Sequence, residues 1–187
     1  MAVDATGFSI TRYNETWLQN QSRYTAREYV KFHAVSDIEW KSIVSFHFTR
    51  TNVHEITQLG RLLEPLWGVG DVYADSGYLS MENCSLIACK GGTPYIRPKR
   101  TTTGKGRRMP WNHPYAEMFD RYNSNREEWL KKYHKRSTIE SVFSSIKRKL
   151  GGYVTSIKRD MQIIEISLKI IVYNLMILAR KRIGEYF

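Results

Sequence analysis

The sequence has little of what several protein classes require. Its two cysteines, Cys84 and Cys89, are too few for a disulfide scaffold or a zinc site, so a reducing compartment fits best. The first ten residues carry neither the basic stretch nor the apolar stretch of a secretion signal. The longest apolar stretch, 163–179, is interrupted by Glu165, Lys169 and Asn174. It predicts a buried helix, and no membrane partner is expected.

Acidic residues are scarce in one part of the chain only. Residues 90–159 contain 18 Lys and Arg against 5 Asp and Glu, whereas the remainder contains 11 basic and 13 acidic residues. The net charge of +11 therefore comes from a single block. A block of this kind predicts a surface for a polyanion, most often nucleic acid. An ordinary basic surface that keeps the protein soluble is the alternative.

The hydrophobic pattern predicts strands in the first half of the chain and helices in the second. Strand-type runs occupy 3–10, 29–35, 41–49, 70–74 and 93–98. Helical spacing occupies 52–66, 80–88, 115–150 (two helices, with a break near 122–125) and 160–182. This order predicts an α/β fold in which helices cover a mixed sheet. We expect one domain, 1–187, with a strand-rich core (1–98), a basic loop (99–114) and a helical part (115–187).

Four polar residues share one stripe of the predicted helix around residue 140. At 100° per residue, Tyr133, Arg136 and Lys147 all lie within about 40° of Glu140. A second, apolar stripe lies about 90° away and contains Ile139, Phe143, Ile146 and Leu150. The helix can therefore pack one face on the sheet and present a carboxylate flanked by cations. The alternative is an Arg136–Glu140 pair that only stabilises the helix.

The spacing Y-x2-R-x3-E-x6-K, from Tyr133 to Lys147, resembles the signature of the DDE insertion-sequence transposases. Three further segments are similar to that family: Leu150-Gly-Gly, Tyr73-Ala-Asp75-Ser-Gly-Tyr78 and Val3-Asp4-Ala-Thr-Gly. The resemblance implies a ribonuclease-H-like fold, in which a five-stranded mixed sheet has helices on both faces and a helical C-terminal part follows. It puts Asp4 on the first strand, Asp75 at the end of the fourth and Glu140 on a later helix. Asp71 is the rival of Asp75, and we interpret it as a turn residue.

The resemblance also implies a mechanism. Asp4, Asp75 and Glu140 would be catalytic and would hold two Mg²⁺ ions, with Mn²⁺ as a substitute, for cleavage of transposon-end phosphodiester bonds and strand transfer. Five residues would bind DNA: Tyr133, Arg136, Lys147, Arg107 and Arg108. The expected partners are transposon-end and target DNA and further copies of the chain in a homo-oligomer. The expected location is the cytoplasm, in association with the nucleoid.

The sequence departs from the family at its start. Only three residues precede Asp4, where full-length relatives carry a region that recognises DNA ends. We therefore expect a catalytic domain without the N-terminal DNA-binding region, whose activity in isolation is open. The alternative function is a catalytically silent remnant that binds DNA or inhibits a full-length transposase.

Overall fold

The structure, a computed structural model, describes residues 1–10, 29–99, 102 and 112–184. Within them the strands are β1 (Ala2–Ser9), β2 (Tyr29–Ser36), β3 (Ile43–Thr49), β4 (Asp71–Ala74) and β5 (Thr93–Ile96). The α-helices are α1 (Leu59–Leu63), α2 (Met81–Cys89), α3 (Pro114–Ser124), α4 (Arg126–Tyr133), α5 (Ser137–Leu150) and α6 (Arg159–Gly184). Short 3-10 helices cover Glu55–Thr57, Ser76–Tyr78 and His134–Arg136.

The five strands form one mixed sheet in the order β3-β2-β1-β4-β5. β1, β2 and β3 pair antiparallel, and β4 and β5 run parallel to β1. The predicted strands all occur at close to their expected positions. The prediction of a five-stranded mixed sheet is confirmed.

Helices cover both faces of the sheet. Successive strand residues point to opposite faces, and both faces carry apolar residues that the helices bury. Val3 and Ala74 lie in a core cluster shared with residues of α1, α2 and α3. Ala2 and Phe8 lie in a second cluster shared with α5 and α6. Asp4 is even-numbered like Ala2 and Phe8, so it faces the α5 side of the sheet.

The predicted helix over 52–66 is shorter than expected. The structure replaces it with the 3-10 helix Glu55–Thr57 and the five-residue α1. After α1, Lys90 Nζ donates hydrogen bonds to the carbonyl oxygens of Glu64 and Leu66. The lysine side chain thus satisfies carbonyl oxygens at the end of α1 that a further helical turn would otherwise have used.

The region 115–150 contains three α-helices and one 3-10 helix, where two helices were predicted. The break after α3 is at Asn125, whose Oδ1 accepts a hydrogen bond from the Glu128 backbone N–H and begins α4. The additional break is His134–Arg136. Tyr133 and Glu140 consequently lie on different helices and not on one straight stripe.

The chain after α5 returns to the far end of β1. Gly151 adopts φ of +85°, a conformation that disfavours side chains, and allows this reversal. The Ser9 backbone N–H then donates to the Gly152 oxygen at 3.0 Å, and the Val154 N–H donates to the Ser9 oxygen at 2.8 Å. These two bonds fix the C-terminal end of α5 beside the end of β1.

One face of α6 is buried and the opposite face is exposed, so the prediction of a buried helix is wrong for half of its surface. Ile166 and Ile170 are fully buried, whereas Leu168 and Leu175 are 56% and 58% exposed. By length and composition α6 also meets the requirement for a membrane-crossing helix, but one such helix is weak evidence for a span. Residues on both faces are apolar, which is why the sequence resembled a core helix.

Candidate active site

Asp4 and Asp75 lie next to each other on neighbouring parallel strands. Val3 is opposite Ala74 where β1 pairs with β4; Asp4 is the next residue of β1, and Asp75 directly follows the last residue of β4. Asp4 Oδ1 accepts a hydrogen bond from the Ala5 N–H at 2.8 Å. Asp75 Oδ1 accepts one from the Ser76 N–H at 2.7 Å and begins a 3-10 helix. Each carboxylate thus keeps a second oxygen for another partner.

Arg136 connects two of the three predicted acids. Its Nη1 lies 3.1 Å from Asp4 Oδ2, and its Nη2 donates to Glu140 Oε1. The side chains of Arg136 and Asp4 are 21% and 19% exposed, whereas that of Glu140 is 52% exposed. The predicted helix-stabilising pair exists, but it is one half of a bridge that crosses from α5 to β1.

The electrostatics around Asp4 favour a cation. The pKa of Asp4 is raised to about 6, mainly by burial and also by the nearby charges of Glu55 and Asp75, while the Ala5 N–H and Arg136 act in the opposite direction. A raised pKa means that the ionised carboxylate has less stabilisation from its surroundings than it would have in water. Additional positive charge at this position would therefore stabilise the site.

Tyr133 lies in an aromatic cluster beside the acids. Its ring stacks on Trp129 at 5.2 Å, and Trp129 contacts Tyr95, which in turn stacks on Tyr73. Burial raises the pKa of Tyr133, with Arg136 acting in the opposite direction through its charge and a hydrogen bond. The position of Tyr133 suits support of the Arg136 side chain. Its predicted contact with DNA stays a prediction.

Lys147 lies on the same side of β1 as Asp4, about two turns along α5 from Glu140. Its Nζ donates to Thr6 Oγ1 at 2.7 Å and sits 5.6 Å from the centre of the Phe8 ring. Burial lowers its pKa. The two other predicted DNA-binding residues, Arg107 and Arg108, lie outside the described residues.

Two charged residues near the acids were not predicted. Glu55 forms an ion pair with Lys31 at 3.2 Å, and its charge contributes to the raised pKa of Asp4. A Cβ atom on Gly77 would lie 3.0 Å from Glu55 Oε2, so the glycine of the Asp-Ser-Gly segment leaves room for this carboxylate. In the sequence, Glu55 resembled the acidic residue of an ordinary first helical turn, and Lys31 one polar position of an alternating strand.

A buried hydroxyl lies near the same carboxylates. The Tyr78 side chain is fully buried, and its hydroxyl has no hydrogen-bond partner among the described residues. Burial raises the pKa of Tyr78, and the charges of Glu55, Asp4 and Asp75 add to the effect. The buried Tyr78 side chain therefore excludes water from the side of the acids that faces it, and charges interact more strongly there than in water.

Asp71 occupies a different position from its rival. It is the first residue of β4, paired with Thr93 of β5, so its interpretation as a turn residue is wrong. Its Oδ2 accepts a hydrogen bond from the Tyr73 hydroxyl at 3.0 Å. Asp75, at the other end of the strand, is the aspartate that neighbours Asp4. The choice of Asp75 from the motif therefore agrees with the strand register.

The donor chemistry of the site suits Mg²⁺, which prefers carboxylate oxygens and retains several waters. Within the described ranges, no three Asp, Glu, His or Cys side chains already converge closely enough to hold an ion together. Asp4 and Asp75 form one pair, and Arg136 connects Glu140 to it. The residues fit a divalent ion if the Glu140 carboxylate leaves the Arg136 guanidinium and binds the ion in its place.

The strand order 3-2-1-4-5, with acids where strands 1 and 4 meet and a glutamate on a following helix, defines the ribonuclease-H-like class. The sequence matches the family described as the transposase DDE domain over residues 1–175, and the chain belongs to that family. No curated protein and no solved structure matches the chain. The resemblance found in the motifs is confirmed.

Family membership assigns a general function. Proteins of this family act in DNA transposition, and their partner is DNA. In general they have nuclease and transferase activity. Divalent metals are the usual cofactors of the family.

Proposed function

We propose that this chain is a single catalytic domain that cleaves phosphodiester bonds at transposon ends and transfers the freed strand to target DNA. The observation that carries the proposal is the adjacency of Asp4 and Asp75, with Glu140 joined to Asp4 through Arg136. In cleavage, a water oxygen bonds to phosphorus, the bond to the leaving oxygen breaks, and that oxygen takes a proton. In transfer, a strand-end hydroxyl replaces the water.

We propose that Asp4, Asp75 and Glu140 hold two Mg²⁺ ions, or Mn²⁺ as a substitute. Bound in this way, the ions would stabilise the negative charge that develops on the attacking and leaving oxygens. Asp4 fits this role because its carboxylate is partly buried and is short of positive charge. Glu140 fits it because it is half exposed and bound only through Arg136 among the contacts described for it.

The basic residues of the site would position the DNA backbone. Arg136 has a planar guanidinium that can bind two phosphate oxygens once Glu140 is released. Lys147, on α5, contacts Thr6 of β1, and its ammonium would hold a neighbouring phosphate there. Tyr133 would orient Arg136 from the aromatic cluster. Arg107 and Arg108 would add contacts from the basic segment.

We further propose that the active complex contains transposon-end and target DNA and more than one copy of the chain, and that it acts in the cytoplasm on the nucleoid.

The competing function is that of a catalytically silent protein that binds DNA. The two differ in one measurable property, which is metal-dependent cleavage.

The test is cleavage of supercoiled plasmid by the purified chain with Mg²⁺, with Mn²⁺ and with EDTA. We expect nicked and linear products with either metal and none with EDTA. Asp75→Asn and Glu140→Gln should abolish cleavage and retain DNA binding, measured by fluorescence anisotropy.

Asp71→Asn is the matched control, because it makes the same change on the same strand at the end remote from Asp4. It should cleave like the unchanged chain. Loss of activity in Asp71→Asn with activity retained in Asp75→Asn would refute the proposed ligand set. DNA binding without cleavage under every metal condition would instead identify the silent protein.

A further inference from the structure

The exposed face of α6 has the spacing of a helix–helix seam. Its large apolar residues recur alternately three and four residues apart, as Met161, Ile164, Leu168, Ile171, Leu175 and Leu178. This is the a/d pattern with which two helices pack knobs into holes. An outer face in contact with water would normally carry polar residues at such positions.

The opposite face of α6 is already occupied by the protein's own core. Ile166, Ile170 and Tyr173 are buried against the sheet and α5. The Asn174 side chain bonds to both the backbone N–H and the oxygen of Ile43, at 2.9 and 2.8 Å. The helix is therefore fixed in place, and its outer face is available without unfolding.

The size of the exposed stripe matches what a stable dimer needs. Each of the six side chains is between 48% and 58% exposed. Together they present about 600 Å² per chain, so that two copies would bury about 1,200 Å², the lower end of specific protein interfaces. The patch lies at the upper end of what monomeric proteins expose in one place, and patches of that size are often functional.

The charges at the ends of α6 indicate the orientation of the pair. The first turn contains Arg159 and Asp160, whereas residues 180–182 are all basic. A parallel pair would bring two basic turns together. An antiparallel pair separates them, places each beside an Asp160 and opposes the two helix dipoles.

We propose that a second copy of this chain docks on the exposed face of α6, through an antiparallel pair of α6 helices related by a two-fold axis. In this arrangement a positions face d positions, so that Met161 packs on Leu178 of the second copy and Leu168 on its Ile171. The inference deepens the proposed homo-oligomer by naming its surface. It does not depend on the carboxylate site.

The first test is sedimentation equilibrium of the whole chain in EDTA and without DNA, which separates its outcome from the cleavage test. We expect a mass of twice 22.0 kDa. Leu168→Glu combined with Leu175→Glu should weaken association about 100-fold, since each charge placed in the seam costs tenfold or more. Trp67→Glu is the control, because Trp67 is 90% exposed and follows α1, which packs on the other face of the sheet from α6. It should leave the dimer unchanged.

The second test is cysteine cross-linking in a Cys89→Ser background, since Cys89 is exposed and Cys84 is buried. Oxidation of a mixture of Met161→Cys and Leu178→Cys chains should give a covalent dimer. Met161→Cys alone should not, because the two sites would lie about 25 Å apart in an antiparallel pair. The reverse result would overturn the antiparallel arrangement.

Two further outcomes would overturn the proposal entirely. One is a dimer that survives the double glutamate change. The other is a monomer at all concentrations. If that monomer also binds phosphatidylcholine vesicles and the double glutamate change prevents this binding, the face would be assigned to a bilayer.

Discussion

Replacing Asp4 with asparagine should make the metal-free protein more stable at neutral pH. Asp4 is 19% exposed and its pKa in the folded protein is about 6, against 3.8 for the ordinary carboxyl group. Ionised Asp4 therefore lowers the free energy of unfolding by about 3 kcal/mol above pH 7, because each pKa unit corresponds to 1.36 kcal/mol. Asparagine has nearly the same shape and carries no charge at any pH.

The expected gain is smaller than the whole of this penalty. Asparagine can keep the Ala5 N–H bond through its oxygen, but its amide N–H would then face the Arg136 guanidinium. Allowing about 1 kcal/mol for this mismatch leaves a gain of about 2 kcal/mol. For a domain of this size, that raises the melting temperature by about 4–8 °C.

The sign of the pH dependence identifies the cause. The folded pKa is raised, so the folded state retains its proton longest and stability falls as pH rises from about 4 through 6. The advantage of Asp4→Asn should therefore be large at pH 8 and vanish near pH 4. The assay is thermal melting in EDTA across this range. Asp120→Asn, an exposed position on α3, is the control. A destabilised Asp4→Asn at pH 8, or a gain of equal size at both ends of the range, would refute the reasoning.

Three other predictions concern single side chains. Burial, followed by the charge of His47, lowers the pKa of His33 to about 4, so protonation of the unfolded chain should reduce stability as pH falls from 6.5 to 4. His33→Gln should make that decline in melting temperature shallower, and an unchanged decline would contradict it. Lys147→Ala should slow cleavage and leave the Mn²⁺ affinity, measured by calorimetry, unchanged. The logarithm of the DNA-binding constant should fall with the logarithm of salt concentration with a slope of about −5, and the variant should make this slope shallower by about one. An unchanged slope would exclude a phosphate contact. Arg136→Ala should raise Mn²⁺ affinity, because it removes a cation from the oxygens of Asp4 and Glu140, yet slow cleavage; weaker Mn²⁺ binding would contradict the exchange.

The positions of Asp4 and Asp75 were predictable because they depend on strands alone. Both follow short apolar runs that alternate as strands do, and family resemblance supplied the order of the strands. The sheet then brings the two residues together through backbone hydrogen bonding, which is independent of side-chain detail. The same holds for the fold class, since the sequence of strand and helix patterns determines it.

The contacts of Arg136 could not be derived in the same way. A helical wheel assumes one straight helix, whereas the 3-10 helix His134–Arg136 changes the direction of the arginine. Its bond to Asp4 also joins residues 132 positions apart, which no local pattern reports. Glu55 was missed for a related reason, because its effect on Asp4 depends on where the 3-10 helix Glu55–Thr57 lies in the folded protein.

The two hydrogen bonds between Ser9 and the segment after α5 restrict where related sequences can carry insertions or deletions. α5 is fixed at its C-terminal end by these bonds and at its N-terminal end by the bridge from Arg136 to Asp4. One residue inserted between Glu140 and Lys147 would rotate these two side chains by about 100° relative to each other and move them about 1.5 Å further apart. Related sequences should therefore keep the six-residue interval between this glutamate and lysine. Insertions should accumulate after Val154, where the chain has already left β1.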